Sequence, residues 1–193
     1  MRFPQLAGTA LLALAAAAGP VRAAYTVTFS QVGPDVVASG GGMIDTGGLA
    51  FYFSGDTGVG VNPRIADVLT GTPGPADLYY GKGMVTGPPS FGPGDGANAS
   101  TGIGGLAGIS PTNSLLVVPQ DYVSGAPLSD TATYAGQSFA TLGLTPGSYV
   151  YSIGSGANAD TFTVDVTSVP EPASLSLLGA GLFGFAMTRR KRS

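Results

Sequence analysis

The side chains of this 193-residue chain best able to do chemistry are carboxylates. Ten aspartates (Asp35, Asp45, Asp56, Asp67, Asp77, Asp95, Asp121, Asp130, Asp160 and Asp165) fall between residues 24 and 168. The sequence holds no histidine and no cysteine. An imidazole base, a Ser-His-Asp triad, a thiolate nucleophile and a Cys/His zinc site are therefore excluded. The remaining catalytic route is a carboxylate acid and base flanking one bond, and no two aspartates stand in a recognisable pair of that kind. The expectation is a chain that is not an enzyme and needs no cofactor.

Aspartate oxygens in glycine-rich turns also suit a hard cation. Asp45-Thr46-Gly47, Asp56-Thr57-Gly58 and Asp95-Gly96 make Asp45, Asp56 and Asp95 the calcium candidates. None lies in an Asp-x-Asp-x-Asp-Gly run, and turn chemistry explains the same residues, because an aspartate side chain accepts from backbone two residues on. Metal binding is thus not the leading expectation. Aromatic residues offer a second kind of contact. Phe51-Tyr52-Phe53, Tyr79-Tyr80, Tyr149 and Tyr151 could stack on sugar rings. Neighbours in a strand point to opposite faces, so one of each adjacent pair belongs to the core. A row of aromatics exposed on a sheet would favour a ligand-binding module; aromatics turned inward would favour a plain surface or matrix protein.

Charge narrows the partners. Between residues 24 and 168 the aspartates face only Arg64 and Lys82, a net of −8. Such a domain repels nucleic acid, which needs clustered Lys and Arg, and attracts cations.

The elements that must position these residues read as strands. Tyr25, Val27 and Phe29 alternate with Thr26, Thr28 and Ser30; Phe162, Val164 and Val166 alternate with Thr161, Thr163, Asp165 and Thr167. Period-two alternation marks a half-buried strand, and two such strands could bracket a sheet. Further strands are expected at Asp35–Ser39, Leu49–Ser54, Asp67–Thr70, Asp77–Tyr80, Ser114–Pro119, Phe139–Leu144 and Ser148–Ile153. Pro146-Gly147 suits a tight turn, and Gly154–Ala159 should close a hairpin onto the last strand. The stretch Thr86–Asn113 is so rich in Gly and Pro that a long mobile loop or irregular edge is expected. No helical periodicity of ten or more residues appears in this region. The reading is one all-β domain at residues 24–168, an antiparallel β-sandwich or jelly-roll-like fold. Its stability must come from packing, without disulfide or metal.

Both ends read as processing segments. Met1-Arg2, the apolar run Leu6–Ala18 broken by Gly19-Pro20, and the small-x-Ala site Val21-Arg22-Ala23 form an N-terminal signal peptide over residues 1–23, cut between Ala23 and Ala24. At the other end, residues 169–193, Val169-Pro170-Glu171-Pro172 precedes an apolar segment, Ala173–Thr188, and then Arg189-Arg190-Lys191-Arg192. Sixteen residues of helix span about 24 Å, a marginal transmembrane length. The four cations orient it, holding the extreme C-terminus in the cytoplasm and the domain outside. Two prolines fix an extended backbone that cannot join the following helix, and so present Glu171 at the interface.

The order of Val-Pro-Glu-Pro, short hydrophobic helix and terminal arginine cluster resembles the PEP-CTERM sorting domain, a tail that is also labelled an ice-binding protein C-terminal domain without implying anything about ice. The resemblance covers about 25 residues. It implies recognition by exosortase, a membrane protease that cuts near the motif, with Val169, Pro170, Glu171 and Pro172 as the sorting motif. The implied partners are exosortase, transiently, the secretion machinery, the inner membrane for the precursor, and exopolysaccharide for the mature form at the cell surface or in the matrix. Val27–Leu49 and Leu128–Val166 also resemble a recurring group of PEP-CTERM proteins to which no activity is attached. The expected function is an exported, non-catalytic surface or extracellular-matrix protein, with a polysaccharide- or calcium-binding module as the alternative.

Overall fold

The computed structural model describes residues 24–167 apart from Lys82 and Met84. The signal peptide, the sorting motif and the C-terminal apolar segment lie outside the described residues. Among the described residues no helix is long and apolar enough to cross a membrane.

The strands in chain order are β1 (Ala24–Val32), β2 (Asp35–Met43), β3 (Ala50–Thr57), β4 (Gly60–Asn62), β5 (Asp67–Thr70), β6 (Gly74–Tyr80), β7 (Val85–Thr86), β8 (Ala97–Asn98), β9 (Thr101–Gly104), β10 (Ala107–Ser110), β11 (Leu115–Pro119), β12 (Pro127–Tyr134), β13 (Gly147–Ile153) and β14 (Asp160–Val166); a single-turn helix, α1 (Phe139–Leu142), precedes β13. They form two sheets, β7-β13-β14-β1-β2-β12-β9 and β3-β6-β11-β10-β5-β4-β8. The β-sandwich expected from alternation is present. Its core is one cluster drawing Tyr25, Val27, Phe29, Phe162 and Val164 from the first sheet and Val68, Ile109, Leu116 and Val118 from the second. Each of these fully buried side chains contributes on the order of 2 kcal/mol of apolar transfer.

The alternation seen in the sequence becomes burial. Tyr25, Val27 and Phe29 in β1 point inward while Thr26 and Thr28 are half-buried, and Phe162, Val164 and Val166 do the same in β14. These two strands do not bracket the sheet, however. They lie side by side at its centre and run parallel, with Tyr25 opposite Phe162 and Phe29 opposite Val166. The Tyr25 and Phe162 rings sit 5.2 Å apart. Parallel neighbours need a long connection, and here the whole domain is that connection. All other pairings are antiparallel, including the β13–β14 hairpin expected at Gly154–Ala159.

Two expectations are corrected. Phe139–Leu144 is not a strand. The Ser138 side chain accepts from the Thr141 backbone N–H while the Thr141 hydroxyl accepts from Ser138 N–H, a capping box that starts a helix, and Gly143 ends it in the left-handed region at φ 64°. Phe139 and Leu142 are buried at helical spacing. Nor is Thr86–Asn113 loop throughout: residues 87–96 are irregular and β8 and β9 are short edge strands, as an irregular edge would have it, but the stretch also holds an inner strand. That strand, β10, is buried at all four positions between β5 and β11. A strand buried on both faces has no alternation to betray it. Strands β4 and β12 were not anticipated either; β12 joins β2 through eight register pairs, Pro127↔Met43 to Tyr134↔Val36.

Candidate functional site

Strand β3 is the outer edge of the second sheet, and its apolar residues face solvent. Phe51, Tyr52 and Phe53 are 57%, 62% and 45% exposed, and Tyr80 in the adjoining β6 is 40% exposed. The register slips between Phe51 and Phe53, so Tyr52 is left out of the ladder with β6. That bulge changes the strand's local twist and turns three successive aromatics outward, where regular alternation would have buried one face. The rings hold one another: Phe51 meets Tyr79 edge-on at 5.9 Å, Tyr52 meets Phe53 at 5.0 Å, and Tyr52 lies 6.1 Å from Tyr80. Tyr52 and Tyr80, with Leu115 and Asn113, line a cleft of about 450 Å³. Of the other aromatics singled out in the sequence, Tyr151 is buried and Tyr149 half-buried, donating from its hydroxyl to the Thr145 carbonyl at 2.9 Å.

A second cleft, about 460 Å³, lies along β4 and is lined by Asn62, Asp67, Asp95 and Asn98 among glycine and alanine backbone. Asn62 Oδ1 and Asp67 Oδ1 are buried there without a hydrogen-bond partner among the described residues. Burial pushes the Asp67 carboxyl above its ordinary value, and a hydrogen bond with Ser110 acts against it. The arrangement presents carboxylate and amide oxygens as acceptors together with the amide NH2 groups of Asn62 and Asn98 as donors, a mixed polar lining that suits hydroxyl groups.

The calcium candidates are not brought together. Asp45 follows β2 and is engaged in its own turn, where Oδ1 accepts from Gly47 N–H at 2.7 Å and the Ser124 hydroxyl at 2.9 Å. Asp56 is exposed in β3. Asp95 lines the β4 cleft beside Asp67 but pairs with Arg64 at 2.5 Å, both side chains being mostly exposed. Among the described residues no three acidic, His or Cys side chains converge on one point.

The sequence reading did not single out the buried aspartates Asp77, Asp130 and Asp160. Asp130 in β12 is 4% exposed, and its Oδ2 accepts from the Tyr25 hydroxyl across β2. Burial raises the Asp130 carboxyl, opposed by its hydrogen bonds, and burial together with the nearby Asp130 charge pushes the Tyr25 hydroxyl up. The signal was present: Asp130, Ala132 and Tyr134 share one face of a strand by period two. Asn62, Asn98 and Asn113 left no such trace, because single asparagines in Gly-rich sequence look like turn residues.

Ala24, on the mature side of the expected signal cleavage, is the exposed first residue of β1. Ala23, Val169, Pro170, Glu171, Pro172, Arg189, Arg190, Lys191 and Arg192 lie outside the described residues. The last described residue is tied down: Thr167 donates to the Phe29 carbonyl through its backbone N–H at 3.1 Å and its hydroxyl at 2.8 Å. One residue further on, residues 168–191 match the profile of the PEP-CTERM protein-sorting motif. No curated protein and no solved structure matches the chain. The matched tail makes exosortase its processing partner and export to the cell envelope or surface its destination.

Proposed function

We propose that this protein, sorted by its PEP-CTERM tail, is a non-catalytic component of the cell surface or extracellular matrix that associates with exopolysaccharide. The observation that carries the reading is the junction at residue 168. The fold is closed by Thr167 on Phe29, and the sorting motif begins at the next residue. A cut anywhere in the tail leaves every strand in place. In this reading the signal peptide is removed between Ala23 and Ala24, and the precursor is tethered in the inner membrane with its domain in the periplasm. Exosortase then recognises Val169, Pro170, Glu171 and Pro172 and separates the domain from the anchor.

A non-catalytic role is supported by how the carboxyls are used. Asp67, Asp130 and Asp160 are each raised by burial, yet none hydrogen-bonds to another carboxyl; Asp160 accepts from the backbone N–H groups of Asp45 at 2.8 Å and Thr161 at 2.6 Å. An acid–base pair needs two such groups on one bond. Association with exopolysaccharide is supported by the aromatic edge of β3.

The test is fractionation of the native host, comparing wild type, an exosortase deletion and Glu171→Ala. The processed domain is expected in the surface and exopolysaccharide fractions of wild type, and as an uncut membrane species in the other two. Processed protein reaching the surface without exosortase would overturn the sorting step; processed wild-type protein absent from the exopolysaccharide fraction would overturn the association.

A further inference from the structure

The cleft lined by Tyr52 and Tyr80 has the character of a ligand site, and its chemistry selects the ligand. Tyr52 and Tyr80 line it as a packed pair, their rings 6.1 Å apart and tilted by 46°, with Leu115 as a further apolar surface and Asn113 as a polar group. Neither tyrosine hydroxyl hydrogen-bonds to another described residue. Two aromatic faces with free hydroxyls and an amide beside them match a pyranose ring, whose C–H face stacks on an aromatic while its equatorial hydroxyls exchange hydrogen bonds. The volume, about 450 Å³, falls in the range of small-molecule sites.

Charge and strand geometry choose among occupants. The rings of Phe51, Tyr52, Phe53 and Tyr80 carry no formal charge, and they sit on a domain whose sequence carries −8 between residues 24 and 168. A polyanionic chain would be repelled, whereas a neutral one would not. Strand addition by a second copy at this patch would use the free edge of β3. That edge is interrupted at Tyr52 by the bulge and carries Asp56, two devices that block strand addition. From this geometry we infer that the Tyr52–Tyr80 cleft binds a neutral polysaccharide, with Phe51 and Phe53 extending the stacking surface along the strand. The inference rests on the association with exopolysaccharide proposed above and assigns it a place.

The test uses the mature protein purified from its host and electrophoresed through gels containing dextran, hydroxyethylcellulose, galactomannan or alginate. Wild type is expected to be retarded by at least one of the three neutral glycans and not by alginate. Tyr52→Ala and Tyr80→Ala should each weaken that retardation roughly tenfold, the scale of one lost stacking contact. Both side chains are exposed, so thermal unfolding of the variants should match wild type and separate lost binding from lost fold. Retardation by alginate alone, by no glycan, or equally in wild type and the Tyr52→Ala/Tyr80→Ala double variant would overturn the site. So would a wild-type dimer that the double variant turns into a monomer, which would make the patch a contact between copies. In the host, a double variant that stays in the exopolysaccharide fraction sinks this site alone. Wild type missing from that fraction sinks the association itself.

Discussion

The hydroxyl of Tyr25 on β1 donates to Oδ2 of Asp130 on β12, reaching over the intervening strand β2 at Gly40. Gly40 pairs with Val27 on one side and Asp130 on the other, and a Cβ there would overlap both the tyrosine hydroxyl and the aspartate carboxylate. The missing side chain is what lets a tyrosine and an aspartate two strands apart meet inside the sandwich. Tyr25→Phe should cost about 1–3 kcal/mol, because it leaves a buried carboxylate short of its donor. Gly40→Ala should cost a similar amount by overpacking. Combining the two should cost less than their sum, since the phenylalanine removes one of the clashing atoms; a double-mutant cycle from urea unfolding measures this, and strict additivity would show that the two residues do not compete for the same space.

Acidification should stabilise the domain. Burial raises the carboxyls of Asp67, Asp130 and Asp160 above their ordinary value of 3.8. A folded state that holds protons more tightly than the unfolded chain has a contribution fully present below the unfolded pKa and lost as pH rises through the folded one. The melting temperature should therefore increase as pH falls from 7 toward 4, and Asp130→Asn should flatten the rise. A melting temperature that drops steadily over that interval would contradict the assignment.

Helix α1 depends on its first residue. Ser138→Ala removes the acceptor for Thr141 N–H and should cost about 1 kcal/mol, while Ser138→Gly should cost only a few tenths. Chemical denaturation of both variants would check the order, and equal losses would mean the hydroxyl is idle.

Hydrogen exchange should separate the strands hidden in the Gly/Pro-rich stretch from true loop. The amides of Ala107–Ser110 lie between two strands in a buried inner position and should exchange about as slowly as those of Leu115–Pro119. Fast exchange across β10 would restore the mobile-loop reading.

Legibility followed periodicity. Strands β1 and β14 could be read because every second residue is apolar, and β5 was read with both its bounds because turn residues flank it. Strand β10 could not, since four buried residues of mixed size carry no period, and α1 could not, since one turn of helix is too short to show one. The PEP-CTERM motif at residues 168–191 was legible because its meaning lies in the order of residues along the chain.

What the sequence alone determined is therefore whatever is written locally: alternating strands, an acidic domain without histidine or cysteine, and a sorting tail behind it. Only the tertiary structure decided that the first and last strands lie parallel at the centre, that Tyr25 meets Asp130 over a glycine, and that a slipped register at Tyr52 turns a run of aromatics toward solvent. Those outcomes depend on which strands become neighbours. Pairing is a contest between distant segments for the same hydrogen bonds and buried surface, and no stretch of chain records its partner.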